Sequence, residues 1–225
     1  MSVSTSAVPR RKPYLGMQME GPIARWYAHL TGRDPRHRDT ARMIAERLAP
    51  GSAVLEVAPG PGYMAIELAK LGGYRVSGLD ISRSFVRIAS DNARRAGVTV
   101  DFRHGDVAHM PLPDNTFDFV VCQAAFKNFP DPVAALNEMH RVLRPGGQAL
   151  ILDLRKDASP EAIERELEGM HLSPLNVVLT RWVFRFGLLR TAYTRAALES
   201  VVAQSRFGTS ELLQPGIGFE LTLTK

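Results

Sequence analysis

Between residues 53 and 153, short apolar runs alternate with longer segments in which apolar residues recur at helical spacing. The apolar runs are the predicted strands, which span residues 53–57, 74–80, 98–103, 117–122 and 148–153. The predicted helices up to this point span residues 20–32, 36–49, 62–71, 82–97 and 131–143. Because strands and helices alternate, we expect a parallel sheet with right-handed crossovers.

The alternation stops after Asp153. The remaining predicted elements are a charged helix, an apolar stretch with three arginines, another helix and two strands, at residues 159–168, 176–193, 194–204, 207–213 and 216–223. Only Gln214 and Pro215 join the last two strands, which is too short for a crossover, so these strands must be antiparallel. The predicted fold is a doubly wound, mostly parallel seven-stranded α/β sheet that ends in an antiparallel hairpin.

Composition and charge add few constraints. The 225 residues are 45% hydrophobic and 23% charged, as in an ordinary soluble domain. The net charge of +5 permits a nucleic-acid or anionic-membrane partner without requiring one. No run reaches the roughly 18 apolar residues of a membrane span. The single Cys122 indicates a reducing compartment, so a cytoplasmic location is expected. No Cys/His cluster has metal-ligand spacing, and no metal site is expected.

The amino-terminal residues 1–19 contain no acidic residue and include Arg10, Arg11 and Lys12. We expect a flexible basic tail, although the composition also has features of an organellar import segment. Residues 20–225 are expected to form a single domain. The sequence leaves the oligomeric state open.

One predicted turn between a strand and a helix has the features of a ligand site. The strand carries Glu56 and breaks at Gly60 and Gly62, which can adopt positive φ and bring the backbone close to a ligand. The amino end of the next helix favours a carboxylate or phosphate. The spacing Gly60-x-Gly62-x-x-Ala65, followed by Asp80, also fits the dinucleotide site of a nicotinamide oxidoreductase. The turn alone therefore leaves two cofactor classes open.

Five motifs in order resemble those of the class I S-adenosylmethionine-dependent methyltransferases. The run from Glu56 to Gly62 matches that family's acidic-x-G-x-G-x-G motif except at Ala58, which adds one methyl group to the turn. The other four motifs are Asp80, Gly105-Asp106-Val107, Pro113–Asp118 and Val142–Gly147. Together they cover about residues 40–154.

This resemblance implies S-adenosylmethionine as cofactor and S-adenosylhomocysteine as its product. It implies that the turn at residues 60–62 takes the methionine carboxylate, that Asp80 binds the ribose hydroxyls and that Asp106 lies in the adenine-binding turn. The implied cofactor-binding residues are Glu56, Ala58, Gly60, Gly62, Asp80, Ile81, Asp106, Val107 and Gln123.

The segment Phe126–Asp131 is similar to the F/Y-G-x-R-N-x-x-D segment of the ubiquinone and menaquinone C-methyltransferases, with Lys127 in place of Arg. Signatures of nucleic-acid amino and cytosine C5 methyltransferases do not follow the fourth strand, so a nucleic-acid partner is not expected. We expect methyl transfer to a small molecule, with an aromatic or quinone-like acceptor as one form of it. An RNA or protein methyltransferase, or a cofactor-binding protein without catalysis, remains an alternative. Expected acceptor contacts are Tyr27, Lys127, Asn128 and Trp182.

Residues 155–193 are an insertion that usually covers the acceptor in this family. It contains an apolar stripe at spacing i, i+4, i+8, formed by Val178, Trp182 and Phe186. The stripe fits a lid over the acceptor, a peripheral membrane contact through residues 177–193, or a helix packed on the sheet. If the acceptor must lose a proton, the candidate general bases are His171 and His29.

Overall fold

The computed structural model describes residues 19–32, 34–169 and 190–225. Its sheet consists of β1 (Ala53–Val57), β2 (Arg75–Asp80), β3 (Asp101–His104), β4 (Phe117–Gln123), β5 (Leu143–Leu154), β6 (Thr209–Leu213) and β7 (Gly218–Thr224). The strand order is β3-β2-β1-β4-β5-β7-β6. Strands β1 to β5 pair in parallel, while β7 and β6 are antiparallel at one edge. The predicted mostly parallel sheet with a closing hairpin is confirmed.

The helices begin and end largely where local sequence signals predict. They are α1 (Gly21–Thr31), α2 (Arg36–Ala45), α3 (Tyr63–Lys70), α4 (Arg83–Ala96), α5 (Pro132–Val142), α6 (Pro160–Gly169) and α7 (Arg195–Ala203), with a short 3₁₀ turn at Phe126–Asn128. Ser82 caps α4 by accepting the Phe85 N–H at 3.0 Å, and Gly97 ends this helix at φ +70°. Asp131 caps α5 in the same way.

Two predicted elements are too long by three or more residues. Helix α2 ends at Ala45 rather than at residue 49, because the N–H groups of Arg47 and Leu48 bond to carbonyls three residues back and tighten the chain into a turn. Strand β3 pairs with β2 only from Asp101, so residues 98–100 precede the strand.

The predicted stop before the fifth strand is an irregularity inside β5. This strand already pairs with β4 at Leu143, and pairing resumes at Gln148 after a register shift. Gly146 takes a φ of +78° and donates its N–H to the Lys225 carbonyl at 3.0 Å. The predicted break is therefore a β-bulge within β5, and Gly146 supplies the positive φ that the bulge needs.

The central strand β1 is buried on both faces. Leu55 belongs to the hydrophobic layer that includes Leu136 of α5, while Val54 belongs to the opposite layer with Leu68 of α3. The loops at the carboxyl ends of the parallel strands are thereby held on a rigid sheet.

Of the predicted insertion at residues 155–193, the structure describes residues 155–169 and 190–193. Helix α6 occupies the predicted charged part. The stripe of Val178, Trp182 and Phe186 lies outside the described residues, as do residues 1–18 of the predicted tail. Within the described ranges, no helix combines the length and hydropathy needed to cross a bilayer.

Gly62 is enclosed by packing behind the turn that precedes α3. A Cβ at Gly62 would lie 2.6 Å from Phe102 Cζ and 2.8 Å from Ala89 Cβ, and its φ is +80°. Both the conformation and the packing therefore require glycine here, whereas the sequence analysis assigned it to the approach of a ligand.

We predict that Gly62→Ala lowers the free energy of unfolding by about 2–4 kcal/mol. A side chain in the left-handed region costs roughly 1–2 kcal/mol, and overpacking adds about 1–3 kcal/mol. Gly97→Ala is the matched control, because Gly97 has φ +70° but no atom within 4 Å of the added Cβ. Urea unfolding measures both losses, and equal losses would contradict the packing role of Gly62.

Candidate functional site

A cavity of about 510 Å³ opens at the carboxyl ends of β1, β2 and β4. Open parallel sheets bind ligands at this edge, and the volume is typical of small-molecule sites, which span about 300–1,000 Å³. Three walls enclose it. The first is the glycine turn with the strand ends at Glu56 and Asp80, the second follows β4, and the third is formed by α1 and the start of α2.

The glycine turn presents its backbone to the cavity at Gly60. This residue has φ +55°, and a Cβ added there would meet nothing closer than a Phe85 ring atom at 3.9 Å. Ala58 also has a positive φ of 54°, which is unfavourable for a residue with a side chain. Its N–H donates to the Leu79 carbonyl at 2.8 Å, which ties the turn to β2.

Asp80 ends β2 and braces this turn. Its Oδ2 accepts the Gly60 N–H at 2.9 Å, and its Oδ1 accepts the Ser82 N–H at 2.8 Å. Burial raises the pKa of Asp80 to about 6, although the two hydrogen bonds lower it. The nearby Glu20 carboxylate also raises this pKa. A carboxylate offers about four acceptor positions, so both oxygens retain capacity for further donors.

Glu56 lies in β1 below the turn and is only 4% exposed. Its Oε2 accepts the Ala65 N–H at 3.0 Å, which is one of the first N–H groups of α3 and has no helical partner. Burial raises the pKa of Glu56 to about 8. The hydrogen bond from Ala65 lowers this pKa, and the nearby charge of Asp80 raises it. At neutral pH the carboxyl group is therefore mostly protonated.

The second wall is the segment after β4. Its lining residues are Gln123, Ala124, Ala125 and Asn128. Ala124 has φ +56°, so two of the three described non-glycine residues at positive φ, Ala58 and Ala124, line the cavity. Strained backbone of this kind persists where the surroundings over-determine it.

A buried ion pair holds the second wall. Lys127 Nζ lies 2.6 Å from Asp153 Oδ1, and these side chains are 7% and 0% exposed. The same ammonium donates to the Ala124 carbonyl at 3.0 Å, and Asp153 Oδ2 accepts the Lys127 backbone N–H at 3.0 Å. Lys127 therefore fastens the wall to the end of β5 and does not line the cavity.

The third wall contributes aromatic and imidazole groups. Tyr27 of α1 meets Phe85 edge to face at 5.8 Å between ring centroids. His37 of α2 has its Nε2 3.1 Å from the Thr31 carbonyl oxygen. Because a carbonyl only accepts, we assign a proton to Nε2, so Nδ1 is the ring nitrogen that can act as an acceptor when the ring carries one proton.

Comparison with known proteins agrees with this geometry. Residues 55–151, from β1 to β5, match the family model described as a methyltransferase domain. The 2-phytyl-1,4-naphtoquinone methyltransferase of Synechococcus elongatus is 35% identical over 153 residues, covering 65% of this chain and 62% of the relative. The demethylmenaquinone methyltransferase of Listeria welshimeri is 34% identical over 126 residues, covering 55% and 52%. The chain spans less than two thirds of either relative.

A solved structure, described as a SAM dependent methyltransferase from Aquifex aeolicus, has the same fold. Its TM-score is 0.69 at 18% identity, covering 89% of this chain and 97% of the other. Residues 55–151 therefore match the methyltransferase domain family, and the whole seven-stranded sheet has the fold of that solved methyltransferase structure. The family and the fold inferred from the five motifs are thus confirmed.

The methyltransferase domain and the two helices before it bring most of the predicted site residues together. Those that line the cavity are Tyr27, Glu56, Ala58, Gly60, Asp80, Ile81, Gln123 and Asn128. Their roles toward a ligand stay predictions.

The other predicted site residues lie elsewhere. Gly62 is packed behind the turn, and His29 is exposed on α1 outside the lining. Asp106 and Val107 follow β3 and do not line this cavity; Asp106 Oδ1 accepts the Ala108 N–H at 3.0 Å. The positions of His171 and Trp182 fall outside the described residues. Within the described ranges, no cluster of three potential metal ligands occurs.

The sequence analysis missed several residues that line the cavity. The clearest are Glu20, Asp34, Arg36, His37 and Tyr63. Tertiary packing brings the segment at residues 20–37 against the turn before α3, as when the Tyr63 hydroxyl donates to the Ala28 carbonyl at 2.7 Å. The spacing of four residues between Tyr27 and Thr31 indicates that they share one face of a helix. It does not indicate which part of the protein that face contacts.

We predict that Glu56→Gln flattens the pH dependence of stability. With a folded pKa of about 8 against an ordinary value of 4.5, Glu56 binds more protons in the folded state between these pH values. Wild-type stability should then fall as pH rises through this interval, by up to about 1.4 kcal/mol per pH unit. Gln cannot ionise and can still accept the Ala65 N–H. Thermal unfolding from pH 5 to 9 checks this, and parallel profiles would refute it.

We predict that Asp153→Asn destabilises the fold by about 3–5 kcal/mol, because it leaves the buried Lys127 ammonium without its charged partner. Adding Lys127→Met should recover part of the loss, since the uncompensated charge is then removed. Urea unfolding of the two single variants and the double variant gives the coupling energy. If Lys127 instead contacted the acceptor, Lys127→Met would lower turnover with no coupling to Asp153.

Proposed function

We propose that this protein transfers a methyl group from S-adenosylmethionine to a small quinone-like acceptor. The observation that supports this is one cavity whose lining includes the glycine turn and Asp80 together with Tyr27, His37 and Asn128. We assign the glycine turn and Asp80 to a first region, for the cofactor, and Tyr27, His37 and Asn128 to a second, for a planar acceptor beside it. The naphthoquinone and menaquinone methyltransferases among the relatives support this acceptor class.

The residues of the first region fit S-adenosylmethionine. Both Asp80 oxygens can accept further hydrogen bonds, as two ribose hydroxyls require. Ile81 is 52% exposed and offers an apolar surface for an adenine ring. Tyr63 and Met64, at the amino end of α3, line the cavity where a helix terminus favours a carboxylate. These groups would hold the three parts of the cofactor.

When bound, the cofactor supplies a methyl group that its sulfonium has already activated. The task left to the chain is alignment, which can contribute several kcal/mol to catalysis. Tyr27 and Asn128 would orient the acceptor ring. His37 Nδ1 would accept the proton that the acceptor loses if carbon is methylated. The single buried Cys122 suits a reducing compartment, and we place the reaction in the cytoplasm.

We predict that the protein binds S-adenosylhomocysteine and not NAD. Asp80→Asn should weaken binding about tenfold or more, because a hydrogen bond to a charged group contributes about 1.5–3 kcal/mol. Asp101→Asn is the control, since Asp101 pairs with Arg103 at the surface of β3 and lies outside the cavity lining. Isothermal titration calorimetry measures each affinity. Binding of NAD alone would refute the cofactor assignment.

The acceptor is tested by supplying S-adenosylmethionine with a demethylated, short-chain naphthoquinone that has been reduced to its electron-rich hydroquinone, and detecting the methylated product by mass spectrometry. His37→Asn should lower turnover about 100-fold or more without changing the affinity for S-adenosylhomocysteine. Cofactor binding without methylation of any quinone would leave the fold assignment intact and exclude this acceptor class.

A further inference from the structure

Helix α1 carries an exposed apolar stripe on its outer face. Ile23, Trp26 and Leu30 are 43%, 62% and 64% exposed. They account for three of the six large hydrophobic side chains exposed in the described ranges. The spacing i, i+3, i+7 aligns them on one side of the helix.

The stripe borders the cavity. Successive residues of an α-helix are about 100° apart around its axis, so Tyr27 and Thr31 lie next to Ile23 on the helix surface. These two residues line the cavity. The opposite side of α1 is buried through Ala24 and Ala28. A molecule lying along the stripe would therefore reach the third wall of the cavity directly.

The other border of the stripe carries basic residues. Arg25 and His29 are exposed and follow Trp26 around the helix on the side away from the cavity. Helix α1 contains no acidic residue. An apolar face with a Trp, flanked by basic residues, suits an anionic bilayer surface.

The stripe is presented by a firmly attached helix. The Glu20 carboxylate accepts the N–H groups of Arg83 at 2.8 Å and Ser84 at 3.1 Å, at the start of α4. The Gly21 N–H donates to Ser84 Oγ at 2.9 Å. Because α4 packs on the sheet, the orientation of the stripe relative to the cavity is fixed.

We propose that α1 docks this protein on an anionic lipid bilayer with the cavity mouth against the membrane. The inference rests on the proposed function, since a quinone-like acceptor with a long apolar chain resides in the bilayer. Its ring would enter past Tyr27 while its chain stays against Ile23, Trp26 and Leu30, so the chain need not cross water. The residues of this surface are different from residues 177–193, for which the sequence analysis predicted a membrane contact.

The test is co-sedimentation of the full chain with vesicles of phosphatidylcholine, alone or mixed with phosphatidylglycerol. The double variant Trp26→Ala/Leu30→Ala should bind the mixed vesicles roughly tenfold more weakly or worse. Arg25→Gln should weaken binding to the mixed vesicles only. The control is Leu71→Ala/Leu213→Ala, which removes side chains that are 47% and 51% exposed at other surfaces and should bind like wild type.

The proposal would be overturned by a lack of vesicle binding by the wild type, by equal binding of the double variant, or by a wild-type dimer that the double variant loses. A marked drop in melting temperature in the double variant would also overturn it, because the stripe would then be covered by the chain itself. Turnover of the short-chain acceptor in solution should be unchanged in this variant. Vesicle binding without any quinone methylation would refute the proposed function and leave the docking surface standing.

Discussion

Two buried carboxyl groups hold the glycine turn that lines the cavity. The parallel register of β1 and β2 pairs Glu56 with Gly78 and Val57 with Leu79, so Glu56 and Asp80 come to the same edge of the sheet. Asp80 accepts the Gly60 N–H of the turn, and Glu56 accepts the Ala65 N–H of α3. Burying them is costly, as their raised pKa values show. These bonds over-determine the turn, which is why Ala58 can keep its unfavourable φ.

The second wall follows the same principle with a charge pair. Lys127 and Asp153 connect the segment after β4 to the end of β5, its neighbour in the sheet. A buried ion pair contributes little net stability, because desolvation offsets the attraction between the charges. Here it specifies position, since both partners also bind backbone groups of the wall. The sheet register therefore sets the separation between the two walls.

The third wall has a different origin. Helices α1 and α2 precede the family match at residues 55–151, yet they supply Tyr27 and His37 to the cavity. The glycine turn thus lies within the residues that match the methyltransferase family, and much of the rest of the cavity lining lies outside them. Such a division lets one fold serve many acceptors, because the added elements change while the glycine turn stays.

The sequence by itself determined the strand–helix alternation, the glycine turn and the position of Asp80, because each depends on residues close together along the chain. Helix caps such as Ser82 belong to the same class. The tertiary structure alone decided that Gly62 is enclosed by Phe102 and that Lys127 turns inward to Asp153. It also decided which residues of α1 meet the cavity and which meet solvent. Those outcomes depend on groups brought together by folding across 26 or more positions, as between Lys127 and Asp153, and no local periodicity encodes them.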